Sequence, residues 1–129
     1  MKKDDLLKLL EELNFPKNEY YVLSGASLVL RGIRKEAGDL DLCISLDLFN
    51  QIKDKYGLTD DKKNECGFYK ISDNLEVVVN QKENFKMENG EKYNLEDVKT
   101  ILDFKIKRNK PKDQKDIENI KKYLKENNS

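Results

Sequence analysis

Tyr20-Tyr21-Val22-Leu23-Ser24-Gly25-Ala26-Ser27, followed a little further on by Gly38-Asp39-Leu40-Asp41-Leu42, is the stretch that decides the fold. A short apolar run, Tyr20 to Leu23, suits a buried strand and enters a Ser/Gly turn. Small residues then open a short helix over Ala26 to Leu30. A second run, Asp39 to Ile44, alternates acidic and apolar positions until Cys43, as a strand does. The order strand, turn, helix, strand predicts an α/β (or α+β) domain built round one mixed sheet flanked by helices.

The flanking segments extend this pattern. Leu6, Leu7, Leu9, Leu10 and Leu13 recur at helical spacing after Asp4-Asp5, and Pro16 must follow the helix end. Leu48, Phe49, Ile52 and Tyr56 mark a helix over Leu46 to Tyr56 that Gly57 stops. Phe68 to Ile71 and Leu75 to Val79 read as strands joined at Ser72-Asp73-Asn74. Gln81 to Lys92 has no period and reads as a loop. Asn94 is the expected cap of a helix bearing Leu95, Val98, Ile101, Leu102 and Ile106. After Lys110-Pro111 a last helix carries Ile117, Ile120 and Leu124. The 129 residues fit one domain over 1–129, with neither repeats nor a second core expected.

Composition removes several function classes. Lysine plus arginine and aspartate plus glutamate both total 25, and 39% of residues are charged. A zero balance argues against a general nucleic-acid binder, which needs a basic face to displace counterions. It leaves room for a local basic patch. The chain has no histidine, which excludes Ser-His-Asp and Cys-His triads, histidine-bearing zinc sites and the usual general base. Cys43 and Cys66 lack metal-ligand spacing and are expected to be buried free thiols. The start, Met1-Lys2-Lys3-Asp4-Asp5, lacks the apolar core of a signal peptide, and no apolar run approaches membrane-spanning length. A cytoplasmic protein without membrane partners is expected.

Two acidic-apolar-acidic triplets occur, Asp39-Leu40-Asp41 and Asp116-Ile117-Glu118. About two are expected by chance in so charged a chain. Secondary structure separates them. Residues i and i+2 share a face on a strand, so Asp39 and Asp41 converge, whereas on a helix Asp116 and Glu118 diverge. Paired carboxylates repel each other, and a divalent cation removes that cost; magnesium takes a few carboxylates together with substrate phosphates. The competing reading is two aspartates facing water at a sheet edge. Upstream, Ser24, Gly25, Ala26 and Ser27 leave turn amides open to an anion, or serve ordinary strand-to-helix packing.

The combined layout resembles the nucleotidyltransferase superfamily that includes DNA polymerase beta and the antibiotic nucleotidyltransferases. Leu23-Ser24-Gly25 and Asp39-Leu40-Asp41-Leu42, with thirteen residues between Gly25 and Asp39, match its pattern, although Ser24 stands where glycine is commoner. Within it, the chain looks like the small bacterial group of minimal and abortive-infection nucleotidyltransferases. That group ends with a lysine-bearing helix and a Lys/Arg-Pro-Lys-Asp-x-x-Asp-Ile segment; here these are Lys105 and Lys110-Pro111-Lys112-Asp113-Gln114-Lys115-Asp116-Ile117. The resemblance covers about residues 20 to 124.

It implies a magnesium-dependent transfer of a nucleotidyl group from a nucleoside triphosphate to a hydroxyl acceptor. The acceptor is a small molecule, a tRNA or a protein, so nucleic acid enters only as acceptor. Asp39 and Asp41 would be catalytic and would hold one or two magnesium ions, two being expected. Glu76 would complete the metal site or take the acceptor's proton, with Asp73 and Glu65 as weaker candidates. Ser24, Gly25 and Ser27 would cradle phosphates, and Lys105 and Lys112 would approach them. Arg31, Arg34 and Lys35 either steer a triphosphate or form a solvated helix end. The alternative is a degenerate nucleotidyltransferase, acting as a binding module or as half of a toxin–antitoxin pair. So short a chain leaves a partner protein or a second copy to complete its cleft.

Overall fold

The computed structural model describes residues 1–127. Its helices are α1 (Lys3–Leu13), α2 (Ser24–Leu30), α3 (Leu46–Tyr56), α4 (Val98–Arg108) and α5 (Gln114–Asn127). Its strands are β1 (Tyr20–Val22), β2 (Leu40–Ile44), β3 (Phe68–Ser72), β4 (Leu75–Val79), β5 (Met87–Glu88) and β6 (Leu95–Glu96). They form one mixed sheet in the order β3-β4-β2-β1-β6-β5. The pairs β1/β2, β3/β4 and β5/β6 are antiparallel, while β2/β4 and β1/β6 are parallel. The α/β domain with a single mixed sheet is what the sequence predicts.

Alternation along the strands assigns the two faces. Val22, Leu40, Leu42, Ile44, Leu75 and Val77 turn to one side, where they are almost completely buried with Leu6 and Leu10 of α1 and Leu48 and Ile52 of α3. The intervening residues, including Asp41 and Glu76, take the other side. A second cluster joins Leu28 of α2 to Val98 and Ile101 of α4 and Ile120 of α5. The seven-residue helix α2 therefore contributes to both clusters, with Ala26, Val29 and Leu30 in the first and Leu28 in the second.

Local signals end the helices as expected. Gly57 takes φ +60° after α3, and the Ser45 hydroxyl accepts the Leu48 amide at its start. The segment around residue 94 differs from the expectation. Leu95 and Glu96 are extended, Leu95 pairing with Val22 and the Val22 amide donating to the Asn94 carbonyl at 2.9 Å. Helix α4 starts only at Val98, capped by the Asp97 side chain, which accepts from the Thr100 amide. Asn94 is a buried loop staple: its Nδ2 donates to the Lys17 carbonyl, and its Oδ1 accepts from the Gly90 amide. Capping at Asn94 would have left the β1 edge unpaired in the interior, a greater loss than one turn of helix.

The expected 81–92 loop contains a 3-10 turn over Lys82–Asn84 and the short strand β5. Both cysteines are free, but only Cys43 is buried; Cys66 is exposed. Among the described residues, no helix is long and apolar enough to cross a membrane.

Candidate functional site

Beside the start of β2 the chain forms a cleft of about 350 Å³. One wall is the turn Ser24, Gly25 and Ala26 with Asp39 and Asp41; the other is Lys105, Arg108, Lys112, Asp113 and Asp116, and Arg34 reaches in from the end of α2. Six predicted residues, Ser24, Gly25, Asp39, Asp41, Lys105 and Lys112, thus line one cleft although they come from opposite ends of the sequence.

The position of the aspartates follows from the strand. Leu40 and Leu42 anchor β2 in the core, so Asp41 projects from the opposite face, with Asp39 exposed just before the strand. Glu76 is directly opposite Asp41 on β4 and shares its face. Burial pushes the Asp41 carboxyl up to about 6, aided by the negative charges of Glu76 and then of Asp39. Glu76 is a neighbour of the pair and does not line the cleft. Among the described residues no three acids or cysteines converge as a ready metal cage. The donor set is therefore the Asp39–Asp41 pair, which suits a cation that completes its shell with water and phosphate oxygens. Asp73, in the β3–β4 turn, and Glu65 are exposed and outside the cleft.

The turn has a specific backbone. Ser24 adopts φ +42°, the left-handed region that favours glycine. Gly25 allows the Arg34 side chain to lie against the turn, since a Cβ on Gly25 would stand 2.9 Å from Arg34 Nη1. Ser27 is not brought to the cleft. It is fully buried, and its hydroxyl donates to the Ser24 carbonyl at 2.6 Å. Substituting Ser24→Gly should remove the left-handed strain and raise stability by about 1 kcal/mol. Urea denaturation checks this, and an unchanged or lower midpoint contradicts it.

No family model, curated protein or solved structure matches this chain.

The second wall is an ionic lattice. Lys105 is only 4% exposed and lies 3.4 Å from both Asp113 and Asp116. Asp113, 2% exposed, receives Arg108 Nε at 2.8 Å and Nη2 at 2.5 Å, a two-pronged pairing. The Arg108 guanidinium and then the Lys105 charge hold its carboxyl down at about 2. Asp116 also faces Arg34 at 3.5 Å. The Lys105 charge is thus shared with two carboxylates, whereas Lys112 is exposed at the cleft wall and carries its charge towards solvent. Arg31 takes no part in the cleft; its side chain is buried, bonded to Glu88 and to the Glu96 carbonyl.

Glu96 was not predicted, because the expected helix absorbed it. Its Oε1 accepts the Ser24 amide at 2.8 Å, and burial pushes its carboxyl up. One sequence signal was available: Asp97 is as good a cap as Asn94, and starting the helix there frees Leu95-Glu96 to pair as a strand.

Proposed function

We propose that the protein is a magnesium-dependent nucleotidyltransferase, moving a nucleoside monophosphate group from a nucleoside triphosphate to a hydroxyl acceptor. The observation that carries this reading is the convergence of the Ser24-Gly25 turn, the Asp39–Asp41 pair and the Lys105–Asp116 wall on one cleft. Asp39 and Asp41 would hold the cation, and Asp41, with its carboxyl raised to about 6, has most to gain from a positive charge nearby. Magnesium bound there would supply charge neutralisation and link the phosphates of the nucleotide to the protein.

The chain's own groups account for the remainder. Gly25 and Ala26 form the wall nearest the aspartates, and their amides have no protein partner among the described residues. Arg34, lying against the Gly25 turn, and Lys112 on the opposite wall supply positive charge to the same cleft for the β- and γ-phosphates. Glu76, opposite Asp41 on the same face but outside the cleft lining, would serve as base for an acceptor hydroxyl approaching across β4, which attacks the α-phosphorus as pyrophosphate leaves. Lys105, Arg108 and Asp113 fix the geometry of the second wall. Asp113 and Asp116 pair with Lys105, Arg108 and Arg34, while Asp39 and Asp41 have no cationic partner among the described residues.

A thermal-shift titration with each ribonucleoside triphosphate, with and without magnesium, tests the reading. A ligand at about a hundred times its dissociation constant adds about 2.7 kcal/mol. The expected result is a magnesium-dependent rise that Asp39→Asn/Asp41→Asn abolishes, accompanied by pyrophosphate release once an acceptor is supplied. Binding without turnover on any acceptor would favour the non-catalytic binding module, which the locked Lys105 charge also suits. No shift with any nucleotide would overturn both.

A further inference from the structure

Glu96 sits behind the cleft, in β6, and is absent from the cleft lining. Its two polar ends are both engaged with α2. The carboxylate Oε1 accepts the amide of Ser24, the first residue of that helix, at 2.8 Å. Its main-chain carbonyl accepts Nη2 of Arg31, the residue that caps the helix at its other end, at 2.6 Å. One residue therefore clasps a seven-residue helix at both termini.

The clasp is costly to maintain. A carboxylate in this half-buried position loses hydration, and it persists where a donor compensates it. Ser24 is itself in a conformation that a non-glycine residue holds only when its surroundings impose it. The turn is fastened on its other side by the Leu23 amide, which donates to the carbonyl of Asp41 at 2.9 Å. Glu96 thus opposes β2 across the turn, and releasing it would free Ser24 to leave the left-handed region, carrying Gly25 with it.

We propose that Glu96 is a positioning residue, whose bond to the Ser24 amide holds the Ser24-Gly25 wall at a fixed place beside Asp39 and Asp41 for the phosphates of the nucleotide. This rests on the nucleotidyltransferase reading only for the identity of the ligand. The bond's effect on the turn is measurable without any ligand.

Three variants separate reach from charge. Glu96→Gln keeps an oxygen acceptor at the same length and loses the charge. Glu96→Asp keeps the charge and falls short by one methylene. Glu96→Ala loses both. Amide hydrogen exchange of Ser24, followed by NMR on the folded proteins, should accelerate about tenfold or more in Glu96→Asp and Glu96→Ala and stay within about threefold of wild type in Glu96→Gln. Dissociation constants for magnesium ATP, magnesium GTP, magnesium CTP and magnesium UTP should follow the same order. Binding should weaken about tenfold in the short variants and be rescued by glutamine.

If Glu96→Ala fails to fold, Glu96→Asp against Glu96→Gln gives the same comparison. A Ser24 amide as protected in Glu96→Asp as in wild type overturns the proposal. So does a glutamine variant that is impaired while the aspartate one is not, which would assign the effect to charge. A wild-type protein that binds none of the four nucleotides overturns the nucleotidyltransferase reading, while Ser24 exchange still decides whether Glu96 fixes the turn.

Discussion

Replacing Asp41 with asparagine is expected to abolish the proposed nucleotidyl transfer and, in the same molecule, to raise the melting temperature. The first effect follows from removing one of the two carboxylates proposed to hold a divalent cation, leaving Asp39 alone for it. Turnover should fall by about a thousandfold or more, the scale on which loss of a group stabilising transition-state charge is felt. The second effect follows from the cost of keeping Asp41 ionised. Burial, Glu76 and Asp39 raise its carboxyl to about 6, so at neutral pH the folded state carries a charge that the unfolded chain tolerates better.

The sign is definite. A raised carboxyl favours the folded state below its unfolded value near 4, and that advantage is lost as pH rises through about 6. After allowance for the solvent that still reaches Asp41, relief of the ionised state is expected to contribute about 1–2 kcal/mol, or several degrees. Scanning wild type and Asp41→Asn at about pH 7 and about pH 3.5 checks it: the gap should be wide at the higher pH and nearly closed at the lower. A variant less stable than wild type at neutral pH would contradict the electrostatic account. Magnesium with nucleotide should reverse the order, because only the wild type gains.

Asp113→Ala is expected to act in the opposite direction and to cost about 3–5 kcal/mol, the usual result of removing one member of a buried ionic group. Asp113 receives both prongs of Arg108 and part of the Lys105 charge. Its loss leaves Lys105 almost fully buried against Asp116 alone. A domain of this size has about 5–15 kcal/mol in total, so the urea midpoint should fall by a large fraction. Asp113→Asn, which preserves shape and one acceptor, should lose less.

The acid behaviour of the wild type carries the complementary sign. The Asp113 carboxyl is held down at about 2, so its contribution is complete above the unfolded value near 4 and disappears as pH falls towards 2. Asp113→Ala should therefore lose stability less steeply than wild type over that interval. A variant that unfolds with the wild-type midpoint would show that Arg108 and Lys105 find other partners.

The parts of this molecule that were legible in the sequence are those whose signals are local. Strand alternation around Leu40-Asp41-Leu42, the Gly57 stop and the small residues after Leu23 each dictate their own conformation. Of the Lys105 and Lys110–Ile117 segment singled out in the sequence, Lys105, Lys112, Asp113 and Asp116 line the opposite wall of the cleft. What was not legible depends on distant partners. Strands β5 and β6 are two residues each; β6 satisfies the edge of β1, and β5 pairs in turn with β6. Leu95, at helical spacing from Val98 and Leu102, points a periodicity argument to the wrong element. Ser27 looked like part of a phosphate cradle because it is small and near Gly25, yet its hydroxyl is turned back to Ser24. Glu96 has no local signature, and its meaning lies in an amide 72 positions away.

Helix α2 stands between two apolar clusters, one under the sheet and one shared with α4 and α5. The aspartates belong to the sheet side and the lysine-bearing wall to the other, so the width of the cleft is set by how two separately cohesive bodies seat on a common spine. A loosening of Leu28, Ile101 or Ile120 would thus be felt as misalignment of two intact surfaces, and the function proposed for the cleft would fade before the sheet began to melt.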